Sequence, residues 1–333
     1  MRDAERDEPR EPQPQDVVIS VIVPCRGHAR ALDACLASVA RQRVDVPFET
    51  LVVDSADDES VAAAARAADG VRLVRRESVR GAEPPLDPAA ARNLGAARAR
   101  GGVLAFIDAD CAAQPGWLAA GLAALSGGAR IAGGPVLDLL PWHPVAASDN
   151  LLQFADFAPA RPDGPARYFP GCNLMIRTAD FAALGGFPAP AVGMGEDVLL
   201  TGLALVRWPG GLRFVRAAQV RHEGRRQLGA MLRHQAGFGY ARGLLGLHLS
   251  PLQLRAGAYA AAIPAVMLKR LGYILGRTAR WHPARLPRLL LFFPVVAAGL
   301  AAWAVGFRRG LRARAAAGAK EPALPAAPSG TAA

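Results

Sequence analysis

From residue 17 onward, the hydrophobic positions of this 333-residue chain alternate between short apolar runs and stretches with a helical stripe. Residues 17–25 (VVISVIVPC) form the kind of continuous apolar run that a strand buried on both faces requires. Residues 28–42 then carry Ala31, Leu32, Cys35, Leu36 and Val39 at helical spacing. Residues 48–54 (FETLVVD) predict a second strand and 71–74 a third, with an Ala-rich helix over 57–68 between them. Asp57, Asp58 and Glu59 at its start favour the positive end of a helix. A turn-rich loop over 80–88 leads to a helix over 89–100 and a fourth strand over 103–107. Repetition of strand, helix and strand predicts an α/β fold: a doubly wound, mostly parallel sheet with helices on both faces.

The period then becomes less regular. Residues 117–125 predict a helix and 130–137 a strand, whereas 138–167 are rich in Pro, Asp and aromatics without one clear period, as suits a long insertion that forms a binding surface. Residues 172–177 predict a strand and 178–184 a helix. Residues 193–200 (GMGEDVLL) open another helix, 212–220 predict a further strand, and a helix is expected over 227–249. Near the end, residues 289–307 (LLLFFPVVAAGLAAWAVGF) carry no charge and are flanked by Arg285 and Arg288 on one side and Arg308, Arg309, Arg312 and Arg314 on the other. As one helix this run spans about 28 Å, close to a hydrocarbon core, which predicts a transmembrane or deeply embedded segment. The shorter apolar run over 257–268 ends at Lys269-Arg270 and suits an interfacial helix. The expected organisation is a disordered arm (1–16) without the apolar core of a secretory signal, a catalytic-type domain (17–249), C-terminal membrane-associated helices (250–312) and a disordered Ala/Pro/Gly tail (313–333).

Charge sharpens this division. The net charge is +11, but residues 1–206 sum to −7 and residues 207–314 to +18, with Glu223 the one acid in that second stretch. A basic last third implies a polyanionic neighbour: anionic lipid, a phosphate-bearing substrate or nucleic acid. Nucleic acid is the weakest of these, because the arginines flank apolar helices instead of interleaving with aromatics in a soluble domain. Cys25, Cys35, Cys111 and Cys172 form no Cys-x-x-Cys pair, so neither a zinc site nor a disulfide framework is indicated.

The candidate chemistry sits at the end of the fourth strand. Asp108 and Asp110 follow it directly, at the carboxyl edge where open α/β sheets bind ligands. Two acids one residue apart can share a divalent cation through hard oxygen ligands; alternatively, one caps the helix that starts near Pro115 and the other is solvated. Glu196 and Asp197 pose the same choice, between favouring a helix dipole and taking part in a reaction.

The pieces VVISVIVPC, FETLVVDS, AARNLGAARARGGVLAFIDADC, PGCNLMIRTADFAALGGF, GMGEDVLL and HEGRRQLGAMLRHQAGFGYARG, in this order over about residues 17–245, resemble the family 2 glycosyltransferases of GT-A fold. No Gly-x-Gly-x-x-Gly follows the first strand, which disfavours a Rossmann oxidoreductase. The resemblance implies transfer of a sugar from a nucleotide-sugar donor to the hydroxyl of a glycan or lipid-linked acceptor, with inversion and with Mn²⁺ or Mg²⁺ as cofactor. It places Asp108, Asp110 and His222 at the metal. Pro24, Arg26, Asp54, Arg92, Asn93, Asp108, Asn173 and Arg226 fall on the donor. Asp197 becomes the general base, with Glu196 to assist it or to bind acceptor.

Each assignment has a plainer rival. Asp54 can serve as a turn acid before Ser55, Arg92 and Asn93 as packing residues, Asn173 as a partner for sheet-edge backbone, and His222 as a surface histidine beside Arg221. The Pro24-Cys-Arg-Gly-His28 segment departs from the family's commoner Pro-x-Tyr/Phe-Asn, which alters the contact expected to stack on the base. The expected location is the cytoplasmic membrane with the catalytic domain on its cytoplasmic side, although basic residues on both flanks do not set orientation. A non-catalytic, membrane-tethered binding protein of the same fold is the alternative. Asp54, Asp108, Asp110 and Asp197 together favour the enzyme, since a binding module needs no base.

Overall fold

The computed structural model describes residues 17–27, 29–56, 58–75, 86–189, 193–245 and 263–317. The expected N-terminal arm, most of the 80–88 loop, the first half of the 257–268 run and the tail beyond 317 lie outside the described residues. Within them, β1 (Ile19–Cys25), α1 (Ala29–Ala40), β2 (Phe48–Asp54), α2 (Glu59–Ala67), β3 (Val71–Arg75), α3 (Pro88–Arg98) and β4 (Val103–Phe106) follow in the order the hydrophobic pattern predicts. Caps set the helix starts: the Asp58 side chain accepts from the Ser60 N–H, and Asp87, with Pro88 behind it, accepts from the Ala90 N–H. These four strands are parallel in the order β3-β2-β1-β4, and β1 and β4 at the centre are almost wholly buried.

The second half completes the sheet and adds a smaller one. β5 (Cys111–Ala113), α4 (Trp117–Ser126), β6 (Ile131–Gly133), β7 (Val136–Asp138), α5 (Pro144–Phe154), β8 (Gly164–Pro165), β9 (Leu174–Arg177), α6 (Thr178–Ala183), α7 (Glu196–Arg207), β10 (Leu212–Phe214) and β11 (Val220–His222) follow. The large sheet continues from β4 through an antiparallel β9 to β6, β10 and β8. The small sheet is β5-β11-β7. Each of the strands expected over 130–137 and 212–220 is in fact two, one per sheet. Pro135 has no N–H to give a ladder, so the first run breaks between β6 and β7. The region over 138–167, expected to be irregular, contains α5, which starts on Pro144 with the His143 ring accepting from the Ala146 N–H.

The C-terminal helices do not form a separate layer. α8 (Leu228–Leu245), α9 (Ile263–Trp281), α10 (Leu286–Leu291) and α11 (Phe293–Ala316) share with α5 a second core built on Leu151, Leu152, Met231, Ile274, Leu289, Val296 and Leu300. α8 and α11 cross backbone to backbone: a Cβ on Gly306 would run into the Ala236 carbonyl, and one on Gly310 into that of Tyr240. Arg285 locks the chain here with a buried bidentate pair to Asp138 at the end of β7, at 2.7 and 3.0 Å.

The single long span expected over 289–307 is not formed. Among the described residues no single helix is long and apolar enough to cross a membrane; 283–291 and 293–316 pass that test only together, and they are bent by 87° at Phe292. Pro294 accounts for the break, because its ring removes an N–H and clashes with the carbonyl four residues back. The helix also continues to Ala316, past the expected start of the tail at 313. One face of α11 is covered by protein, through Val296, Leu300, Trp303, Phe307 and Leu311. Leu290 and Leu291 at the bend, with Trp142 beside Arg288, stay 66–71% exposed.

Candidate active site

β4 delivers Ile107 to the sheet edge, where its N–H still donates to the Ile22 carbonyl of β1, and the next three residues leave the sheet. A turn closed by the Cys111 N–H on the Asp108 carbonyl (2.9 Å) redirects the chain into β5. β5 pairs antiparallel with β11, with Cys111 opposite His222. This register, available only because the chain changes sheets, sets His222 Nε2 at 3.4 Å from Asp110 Oδ2. The Glu223 N–H donates to the Asp110 carbonyl and fixes the loop from behind (2.9 Å).

Asp110, Cys111 and His222 bring their donor atoms within 4.8 Å of one another, as a metal site requires. Burial, with a hydrogen bond to Cys172, pushes the Cys111 thiol well above its ordinary pKa, and its soft sulfur is a poor match for a hard divalent cation. That leaves one carboxylate oxygen and one imidazole nitrogen, a donor set that fits Mn²⁺ or Mg²⁺ with further ligands from a diphosphate or water. Asp108, the other expected ligand, is not in this cluster. Its Oδ1 accepts from Arg92 at 2.6 Å.

Arg92 joins the two acidic centres. It lies buried on α3, with Nη2 on Asp108 and Nη1 on Glu196 Oε1, each at 2.6 Å, and its guanidinium 5.5 Å from the Phe187 ring centre. Burial by itself would lower its pKa, but Asp108 and Glu196 outweigh that and hold it above the ordinary range. Glu196 responds in the opposite sense: burial first, then the neighbouring Asp197 charge, push it up to about 7 against the pull of Arg92. Asp197 begins the exposed side of the α7 N-terminus. Its Oδ2 accepts from the Gly171 N–H at 3.2 Å and its Oδ1 from the Val198 N–H at 2.8 Å, and the side chain is only half-buried. Of the two acids it is the one a substrate can reach.

The other expected donor residues are placed differently. Asn93 donates to the Phe187 carbonyl (2.8 Å) and accepts from the Phe187 N–H (2.9 Å), which ties down the backbone beside Arg92. Asn173 is fully buried; it accepts from the Trp117 indole and donates to the Pro135 and Ala218 carbonyls, so it satisfies backbone between strands instead of lining an open sugar site. Asp54 accepts from the Ala56 and Asp58 N–H groups and pairs with Arg75 at 2.9 Å, the arrangement of a turn acid. Pro24 is half-buried within β1, Arg26 is exposed just after it, and Arg226 is exposed with Glu223 at 3.7 Å. The structure thus gathers His222, Asp110, Asp108, Arg92, Glu196 and Asp197 into one connected cluster and leaves Arg26 and Arg226 outside it.

Two residues of this neighbourhood, Asp149 and Asn150, escape the hydrophobic pattern. Both are fully buried on α5, behind β11. Asp149 accepts from the Arg225 N–H and guanidinium and from Gln235, and Asn150 holds His222. The available signal is the polar trio Ser148-Asp149-Asn150 inside the otherwise apolar run VAASDNLLQF.

Comparison with known proteins bears on the fold. A mannosyltransferase from Pyrobaculum calidifontis, solved with GDP-Man and Mn²⁺, superposes with a TM-score of 0.52 over 94% of this chain and 90% of its own, at 18% identity. The chain therefore has the GT-A fold. Residues 20–179 match the model of glycosyl transferase family 2. Glycosyltransferase AglE of Haloferax volcanii is 27% identical over 184 residues, 54% of this chain. The pre-mycofactocin glycosyltransferase of Mycobacterium tuberculosis is 28% identical over 288 residues, 83% of this chain. The aligned region spans 58% of each of these two relatives.

Proposed function

We propose that the protein transfers a sugar, with inversion, from a nucleotide-sugar donor to the hydroxyl of a glycan or lipid-linked acceptor. The observation that carries this reading is the joining of two differently placed carboxylate centres by one buried arginine: Asp108 and Asp110 at the sheet edge, Glu196 and Asp197 at the α7 N-terminus. Asp197, the accessible acid, takes the proton of the acceptor hydroxyl as that oxygen bonds to the anomeric carbon; the bond from that carbon to the diphosphate breaks, and its electron pair leaves with the nucleoside diphosphate. A divalent cation, Mn²⁺ or Mg²⁺, held by Asp110 and His222 would offset the charge on that leaving group. Arg92 keeps Asp108 and Glu196 in register and adds a fixed positive charge beside the diphosphate.

The exposed Trp142, Leu290 and Leu291, next to a strongly basic C-terminal third, support a site on the cytoplasmic face of the cytoplasmic membrane, held at its surface instead of by a span. The alternative is a non-catalytic, membrane-tethered binding protein. The deciding experiment presents the full chain with a panel of UDP-, GDP- and dTDP-sugars, with Mn²⁺, Mg²⁺ or chelator. Metal-dependent release of nucleoside diphosphate from one donor supports the enzyme; metal-dependent binding without any turnover supports the binding protein and overturns the catalytic reading.

A further inference from the structure

His222 is hydrogen-bonded to α5 through one side chain, Asn150. The Asn150 Nδ2 donates to the His222 backbone carbonyl at 3.0 Å, and its Oδ1 lies 2.7 Å from His222 Nδ1, with the whole amide buried. A backbone carbonyl can only accept, so the amide nitrogen must face it and the amide oxygen must face the ring. The amide oxygen also only accepts. Nδ1 therefore carries the hydrogen, and in the neutral ring Nε2 is the bare nitrogen. Nε2 is the atom that faces Asp110 Oδ2 at 3.4 Å. In the neutral ring two lone-pair atoms then oppose each other across that gap, an arrangement that a bound cation relieves.

The surroundings hold this geometry in place. Phe154 packs edge-on against the His222 ring, with centres 5.1 Å apart. Gly224 turns the chain with φ +76, and a Cβ there would come within 2.8 Å of the Ala146 carbonyl and 3.1 Å of the Asn150 Oδ1. The preceding residue on α5, Asp149, binds the Arg225 N–H and side chain, so two adjacent residues of one helix grip the segment that carries the histidine.

We propose that Asn150 is a positioning residue that presents the unprotonated Nε2 of His222 to a divalent cation shared with Asp110. The inference rests on the metal reading above and adds the residue that fixes the tautomer and ring orientation. Outer-shell partners of this type commonly contribute about 10–100-fold to metal affinity.

Two measurements on the full chain test it. In metal-free protein labelled with ¹⁵N-histidine, at alkaline pH and with His222→Gln to identify the signal, His222 should show hydrogen on Nδ1 and none on Nε2. In Mn²⁺ titrations followed by electron paramagnetic resonance, Asn150→Leu should bind about 10–100-fold more weakly. Asn150→Asp, which keeps an acceptor on Nδ1, should stay close to the native affinity. A hydrogen on Nε2 in the native protein overturns the proposal, whatever the variants do. Native Mn²⁺ affinity in Asn150→Leu, or equal weakening in both variants, overturns it as well. If the native chain takes up no Mn²⁺ at all, the proposal falls together with the metal reading; in the other adverse outcomes it falls alone.

Discussion

Arg92 is the residue whose loss would leave the most behind. With its guanidinium gone, Glu196 stays buried beside Asp197 with no opposing charge, and Asp108 loses its 2.6 Å partner. Arg92→Ala should therefore destabilise the fold by about 3–5 kcal/mol, read from urea unfolding, because breaking a buried pair from one side strands the other charge. Asp149 gives the residue-scale prediction for pH. Burial alone would raise its carboxyl, but His234 at 3.8 Å, Arg225 at 3.2 Å and Gln235 at 3.0 Å hold it down at about 2. A depressed carboxyl stabilises the fold above its ordinary pKa near 4 and loses that contribution as pH falls toward 2. Asp149→Asn should remove about 2 kcal/mol of acid dependence from the stability curve in that window. An unchanged slope between pH 4 and 2 would contradict this assignment. Sequence reading placed Asp108, Asp110, Asp197 and His222 near chemistry because each sits in a recognisable segment. It could not tell that Asn173 and Asp54 are already fully engaged, because such bonds join residues up to 56 positions apart.

At the scale of elements, the βαβ half was legible almost to the residue, since a buried strand writes its identity as an apolar run: β2 is Phe48–Asp54, as the pattern predicts. α5 was hidden because its most important positions are polar and buried, which reverses the usual sign of the pattern. The split strands were hidden because a run such as 130–137 stays apolar across a change of sheet. The apolar run over 289–307 hides its break for a related reason: composition stays apolar through Phe292, where an 87° bend divides the run between two helices. The α8–α11 crossing yields a direct test. Gly306→Leu forces a side chain into the Ala236 carbonyl and should lower stability by about 1–3 kcal/mol or more, with early proteolysis in the C-terminal helices. Ala301→Leu, on the exposed side of the same helix, should leave both unchanged. Equal behaviour of the two variants would mean that the crossing does not hold these helices.

For the whole molecule, charge and exposed apolar surface coincide. Residues 207–314 carry a net +18, and the bend between α10 and α11 exposes Leu290 and Leu291 near Trp142 and Arg288. The full chain should sediment with vesicles rich in anionic lipid, release partly at high salt as Debye screening shortens, and lose the salt-resistant part in Leu290→Glu/Leu291→Glu. Binding that ignores both lipid charge and these substitutions would place the contact elsewhere.

The central claim is that metal and donor binding lie with Asp110, while the proton of the acceptor goes to Asp197. Its most direct test is a binding and turnover comparison of native protein, Asp110→Ala and Asp197→Asn on the donor that the panel identifies. Asp110→Ala should lose metal-dependent donor binding, whereas Asp197→Asn should bind donor as the native chain does and lose about 10²–10⁴ in kcat. Native turnover in Asp197→Asn, or metal-dependent donor binding that survives Asp110→Ala, would contradict the division of labour proposed for this site.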